Sequence, residues 1–159
     1  MKIIEADIED AQKILELQKL AYKQEAEIYQ DFNIPPLLQT LEEIKKEIGQ
    51  QIFLKTIDGN KIIIGSVRAY SDNDSCFIGR LIVHPKWQRQ GIGTKLMHNI
   101  EACFPNIQRC ELFTGTKSTQ NIKLYKRLGY KPFKELVVNK SLSLVYMEKI
   151  SKITNGVKK

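Results

Sequence analysis

The chain has 159 residues, 42% of them hydrophobic, enough for one proper core and too few for two domains of usual size. It holds no run of eighteen apolar residues, and Met1-Lys-Ile-Ile-Glu turns acidic before a signal-peptide core could form, so a soluble, unexported protein with no membrane partner is expected. The net charge of +7 is polarised, with seven Lys and no Arg against twelve Asp and Glu in residues 1–60, and eighteen basic against six acidic side chains in residues 61–159. Such a chain suits a multiply anionic ligand on its basic half and a cationic one on its acidic half.

In chain order, Met1–Ile4 reads as a short strand. Ile8 to about Glu27 reads as a helix that buries the stripe Ala11, Ile14, Leu15, Leu17 and Ala21. Asn33-Ile-Pro-Pro36 breaks the chain, and Thr40-Leu-Glu-Glu43 opens a second helix as a capping box. Ile52–Ile57 and Lys61–Ala69 are strands joined at the hairpin signal Asp58-Gly59, and Cys76–Val83 is a third strand after the polar turn Ser71–Ser75. A helix from Gly91 to Phe104 repeats Ile92, Leu96, Ile100 and Cys103 on one side. Arg109–Thr114 is a strand, Ser118 or Thr119 caps a helix to about Leu128, and Gly129 stops it in the C′ position. Tyr130–Leu136 and Leu142–Glu148 close the chain as strands. The order βααβββαβαββ predicts an α/β fold, a mixed sheet flanked by helices in a single domain over 1–149, with a right-handed crossover from Cys76 to Thr114 and a polar basic tail over 150–159.

Cys76, Cys103 and Cys110 are odd in number, lack C-x-x-C spacing and fall in predicted strands or helices, so buried thiols and a reducing cytoplasm are expected. His84 and His98 have no companion at metal-ligand spacing, so no metal site is expected.

The chemistry concentrates in Leu81-Ile-Val-His-Pro-Lys-Trp-Gln-Arg-Gln-Gly-Ile-Gly-Thr-Lys-Leu96, an apolar strand that runs through a proline turn into a glycine-started helix. Gly91 and Gly93 let a ligand approach the backbone, and the helix start offers unpaired N–H groups and a positive dipole end to a phosphate. Lys86, Arg89 and Lys95 surround it. A P-loop would need a glycine five positions before Gly93 and Lys next after it, and a dinucleotide fingerprint would need a glycine where Leu96 stands.

What remains, Gln88-x-x-Gly91-x-Gly93 behind a Leu-x-Val-x-Pro strand end, resembles motif A of the GNAT superfamily of N-acetyltransferases, and the predicted element order is also that of the GNAT fold across nearly the full chain. The resemblance implies acetyl-CoA as cosubstrate, with contacts from Leu81, Ile82, Val83, Gln88, Arg89, Gln90, Gly91, Ile92, Gly93 and Thr94. Asn121-Ile-Lys-Leu-Tyr125-Lys-Arg-Leu-Gly129-Tyr130 looks like the family's motif B, which puts Asn121 on the cofactor and Tyr125 near its sulfur. These two are four residues apart on one helix face, and a phenol is a donor at neutral pH, so Tyr125 is the candidate acid for the departing thiolate. Backbone N–H groups near Ile82 and Val83 are the family's candidates for holding the acetyl carbonyl.

One departure from the family pattern is plain, since the strand Cys76-Phe-Ile-Gly-Arg-Leu-Ile-Val83 carries no carboxylate to serve as general base. Asp72, Asp74, Glu25, Glu27, Tyr29 and His84 are the alternatives, beside a water relay. The segment Glu25–Thr40, with Tyr29, Phe32 and several acids, is where the resemblance implies an acceptor wall, and a small cationic amine is the first acceptor expected. A peptide N-terminus or lysine is the second. Outside this reaction stand a non-catalytic acyl-CoA sensor and a basic module that grips nucleic acid through the Gly loop and Lys-rich helix. Nucleic acid is the least expected partner, and a homodimer stays open.

Overall fold

Phe53 and Leu54 are neighbours in one strand and so point to opposite faces of its sheet, and each roots a separate buried cluster. Phe53 packs with Ala11, Ile14, Leu15 and Ile44, and Leu54 with Ile92, Leu96, Met97, Ile100, Leu112 and Met147. Two helical layers therefore sandwich one sheet. A computed structural model of the chain describes residues 1–151. Its elements are β1 (Lys2–Glu5), a 3-10 turn (Ile8–Asp10), α1 (Ala11–Tyr29), α2 (Pro35–Leu38), α3 (Leu41–Ile48), β2 (Ile52–Ile57), β3 (Ile63–Asp72), β4 (Ser75–Val83), a 3-10 turn (Pro85–Trp87), α4 (Ile92–Ala102), β5 (Arg109–Gly115), α5 (Thr119–Arg127), β6 (Lys131–Val137) and β7 (Ser143–Ile150).

The sheet order is β1-β2-β3-β4-β5-β7-β6, antiparallel throughout except for the parallel pair β4–β5. The mixed sheet between helices is the expected fold class. The parallel pairing is short, covering Ser75–Phe77 against Arg109–Glu111 alone. On its other side β4 carries a bulge. Ile82 faces Ser66 and Gly79 faces Arg68, so Arg80 and Leu81 both oppose Val67, with Arg80 in left-handed conformation at φ 51.

Local differences from the sequence expectations have local causes. The first helix begins as a 3-10 turn because Asp7 and Asp10 form a capping box ahead of α1, and it continues to Tyr29, where Gln30 ends it at φ 51. The proline break contains α2, a single turn that Pro35 and Pro36 can start because their missing N–H groups would be unpaired there. Asp58-Gly59 is not a two-residue turn: the Asp58 carboxylate accepts from the N–H groups of Asn60 and Ile62, which stretches the connection and delays β3 to Ile63. Thr40 and Glu43 form the expected reciprocal cap, and Gly129 takes φ 100 after α5. Cys76 is buried, but Cys103 is exposed because it lies past the last full turn of α4, and Cys110 is half-buried. Ile150 ends β7, and residues 152–159 of the expected tail lie outside the described residues.

Close packing seats α4. Ile92, Leu96, Met97 and Ile100 are buried, each worth about 1.5–3 kcal/mol relative to exposure. Gly65 in β3 lets the helix in, since a Cβ there would stand 3.1 Å from both Ile92 and Leu96.

The opposite layer is tied by polar groups. Arg68 of β3, 3% exposed, donates to Glu47 of α3 at 2.7 Å and to Gln18 of α1 at 2.6 Å, and lies 4.3 Å over the Phe53 ring. Gln18 donates to the Pro36 carbonyl and to Gln39, which donates to Glu47. Burial lowers the guanidinium to about 10, so it stays cationic at neutral pH. Removing it strands the partners of a buried charge. Arg68→Met is expected to lower the unfolding free energy by about 3 kcal/mol, read from urea denaturation midpoints, and a loss below about 1 kcal/mol would show that the network does not hold α1 and α3 to the sheet.

Candidate active site

Past Phe77 and Glu111 the strands β4 and β5 part, and the opening is a cleft of about 720 Å³. Leu81, Ile82 and Val83 form its inner edge, where the side of β4 facing away from β3 has no strand partner. Backbone donors on such an edge remain available to a ligand.

The loop after β4 is shaped by short-range bonds. The His84 ring accepts from the Lys86 N–H and starts the 3-10 turn, while Arg89 and Gly91 take φ 64 and 83. A Cβ on Gly91 would meet nothing within 4 Å, so its conformation, not its size, asks for glycine. Gly93 differs, because a Cβ there would point at Leu124 and Leu81, both cleft walls, at 3.5 and 3.8 Å. Its missing side chain keeps the cleft floor open. Gln88 donates to the Val83 carbonyl and to Gln24 of α1, both at 3.3 Å, and so ties the loop to both sides of the cleft.

Neither α4 nor α5 has a side-chain cap at its start. Ser118, predicted to cap α5, stands at the N-cap position but sends its hydroxyl to Glu25 instead. Two sets of unpaired N–H groups and two positive dipole ends thus meet one cleft, with Arg89, Lys117 and Arg127 on its walls. That arrangement fits a ligand with several phosphate charges.

Of the ten loop and strand residues singled out from sequence, nine line the cleft and Gln90 is exposed outside its lining. Asn121 also lines it, donating to Thr114 at 3.2 Å. Tyr125, one turn on, is buried behind that wall, 6% exposed, with its ring edge-on to Tyr130 at 6.1 Å. Its hydroxyl makes no hydrogen bond to the described residues, and burial pushes it well above the usual phenol range, helped by Tyr22 and Glu25. A phenol so placed stays protonated through neutral and alkaline solution.

The candidate bases separate clearly. Asp72 and Asp74 sit at the exposed β3–β4 turn, His84 is occupied as a cap, and Phe32 lies outside the lining. The Tyr29 hydroxyl is buried, accepting from the Lys117 N–H at 2.9 Å and bonded to Ser118 at 2.7 Å. Glu25 and Glu27 line the cleft. Tyr22, Gln24, Trp87, Lys117, Ser118, Leu124 and Arg127 also line it and were not singled out from sequence. A helical reading of Ala21, Glu25 and Ile28 as one stripe would have found the α1 wall, since it continues the face of Ile14 and Leu17 beyond the buried core, with Ala21 and Glu25 half-buried and Ile28 exposed.

The family model for the acetyltransferase (GNAT) domain matches residues 48–132. The chain is 30% identical over 121 residues to the UPF0157 protein YqkA of Bacillus subtilis, covering 76% of this chain and 34% of that protein, so it spans about a third of the curated relative's length. The solved PaiA N-acetyltransferase from Thermoplasma acidophilum, in complex with coenzyme A, is similar with a TM-score of 0.81 at 21% identity, covering 94% of this chain and 98% of that one. A chimera of the spermidine N-acetyltransferase SpeG from Vibrio cholerae and hSSAT aligns with a TM-score of 0.73 at 14% identity, over 98% and 99% of the two chains. These solved structures share the fold.

Because Gly93 is helical and its Cβ would make only ordinary contacts, Gly93→Ala is expected to raise the unfolding free energy of the free protein by about 0.5 kcal/mol. Urea denaturation measures this, and a loss of stability instead would mean that Leu81 and Leu124 leave no room for a methyl group.

Proposed function

The chain belongs to the GNAT acetyltransferase family, and on that premise we propose that it moves an acetyl group from acetyl-CoA to a primary amine by direct transfer in a ternary complex. One observation carries this reading: the parted strands open on two uncapped helix starts, with Gly93 leaving the floor clear. The coenzyme A bound to the PaiA relative supports the same ligand here.

Bound acetyl-CoA supplies an activated acetyl group as a thioester. The α4 start, from Gly91 to Thr94, binds the pyrophosphate through its N–H groups, with Arg89 beside it. The free edge of β4 at Leu81, Ile82 and Val83 holds the acetyl carbonyl and stabilises the charge that develops on its oxygen, where one such donor can be worth about 2.7–4 kcal/mol. Asn121 orients the pantetheine arm from the facing helix. Tyr125 donates its proton toward the sulfur as the C–S bond breaks. Burial raises its pKa and keeps it protonated, so ionisation of this phenol does not limit the rate at any pH near neutrality.

The acceptor is a small cationic amine. Glu25 and Glu27 on the cleft's α1 side support this, as does the fold shared with a spermidine N-acetyltransferase. The cysteines take no covalent part, since none lines the cleft.

The first experiment is the melting temperature with and without acetyl-CoA. At a hundred times its dissociation constant the ligand contributes about 2.7 kcal/mol, a rise of roughly 5–11 °C for a domain of this size. Gly93→Glu, which fills the cleft floor, is expected to stay folded and lose the rise. No shift in the wild type would sink the acetyltransferase reading. Tyr125→Phe is expected to slow transfer about 100-fold with acetyl-CoA affinity unchanged, as read from thiol release and titration calorimetry. Equal rates would remove Tyr125 from the chemistry.

A further inference from the structure

A carboxylate inside the cleft is held by a chain of hydrogen bonds that no packing need explains. The Tyr29 hydroxyl accepts from the Lys117 N–H and donates to Ser118 Oγ, and Ser118 Oγ donates to Glu25 Oε1. This chain brings the end of α1 onto the start of α5, and it fixes one oxygen of Glu25 while the other accepts from no described residue. Burial raises the three phenols Tyr22, Tyr29 and Tyr125, and the charge of the same carboxylate adds to the rise at each. A half-buried carboxylate with one free oxygen, on a cleft wall that also carries Tyr22, matches an alkylammonium, which pairs with the charge.

We propose that Glu25, reaching in from α1, is the general base of this enzyme: it binds the acceptor ammonium and takes its proton, filling the role for which β4 offers no carboxylate. The inference rests on the acetyl-transfer reading above. Glu25 accepts one proton from the ammonium, and the neutral amine then forms its C–N bond at the thioester carbon. As the C–S bond breaks, its electron pair stays on sulfur, which receives the Tyr125 proton. The nitrogen's surplus proton restores the phenol, and Glu25 releases its own to water at the cleft mouth. Ser118 is a positioning residue, because it touches the carboxylate and not the acceptor.

The test contrasts two nucleophiles in acetyl-CoA-dependent thiol release near neutral pH. Butylamine is almost wholly protonated there and needs a base, whereas hydroxylamine is largely neutral and does not. Glu25→Gln keeps an oxygen that accepts from Ser118, so the fold of the wall is retained. Its kcat/KM with butylamine is expected to fall about 100-fold, with hydroxylamine turnover and acetyl-CoA affinity within about twofold of wild type. Ser118→Ala is expected to reduce butylamine turnover about tenfold, a smaller loss in the same direction. Equal losses with both nucleophiles would mean a structural role and overturn the proposal, as would no loss with either. So would a wild type that binds acetyl-CoA but transfers to neither nucleophile. A wild type that does not bind acetyl-CoA overturns instead the acetyl-transfer reading beneath it.

Discussion

The parting of β4 from β5 after three residue pairs governs the rest of the molecule. Both strands are held elsewhere, β5 by seven pairs with β7 and β4 by its ladder with β3. The bulge at Arg80 and Leu81 adds twist where the strands separate, so the gap cannot close into a ladder. Backbone groups left between them must face water or a ligand, because leaving them buried and unpaired costs about 1–3 kcal/mol each. The chain path does the rest. The helix after each parted strand starts at the gap, so α4 and α5 both point their unpaired N–H groups into it without any further device.

An opening of this kind needs side chains that keep its walls at a set spacing. Gln88 spans from the Val83 carbonyl to Gln24 on one side, and the bonds among Tyr29, Ser118, Lys117 and Glu25 close the other. Tyr29 fits only because Gly115 has no side chain, since a Cβ there would collide with its hydroxyl. Beneath α1, the buried Arg68 network fixes the helix to β3. Two polar ties, one in the middle of α1 at Gln18 and one at its end at Glu25 and Tyr29, therefore set where the α1 wall stands, and the apolar stripe ahead of them, Ala11, Ile14 and Leu15, sets only which face is buried.

What could be read from the sequence was what short-range physics dictates. Gly91 and Gly129 mark backbone needs that no distant contact alters, and Thr40 with Glu43 caps a helix within one turn. The stripe Ala11, Ile14, Leu15 and Leu17 is buried as its period demands, whereas Ala21 is only half-buried because the stripe runs out into the cleft. The illegible parts are those where a distant residue decides. Ser118 looks like a cap in its own segment, yet a carboxylate 93 positions away takes its hydroxyl. Cys103 continues a helical stripe on paper but falls where the helix has ended. The Asp58 carboxylate, by taking two backbone donors, overrides a turn that its neighbour Gly59 alone would have made tight.

The charge polarisation acquires a physical meaning only once the ion pairs are subtracted. In the acidic half, Asp10 is taken by Lys55 and Glu47 by Arg68, and in the basic half Arg109 and Lys149 are taken by Glu111, Glu148 and Glu101. Charges scattered over open surface are screened beyond about 8–10 Å. Those on the cleft walls act across a narrower, partly desolvated gap. They divide by wall, with Glu25 and Glu27 on α1 and Arg89, Lys117 and Arg127 on the loop and α5 side. A field of this shape draws an anion toward the helix starts and a cation toward α1. The two orientations converge on the unpaired edge of β4, where an attacking nitrogen and an acyl carbon would have to meet. The asymmetry between the halves of the sequence is in this sense the asymmetry of one cleft.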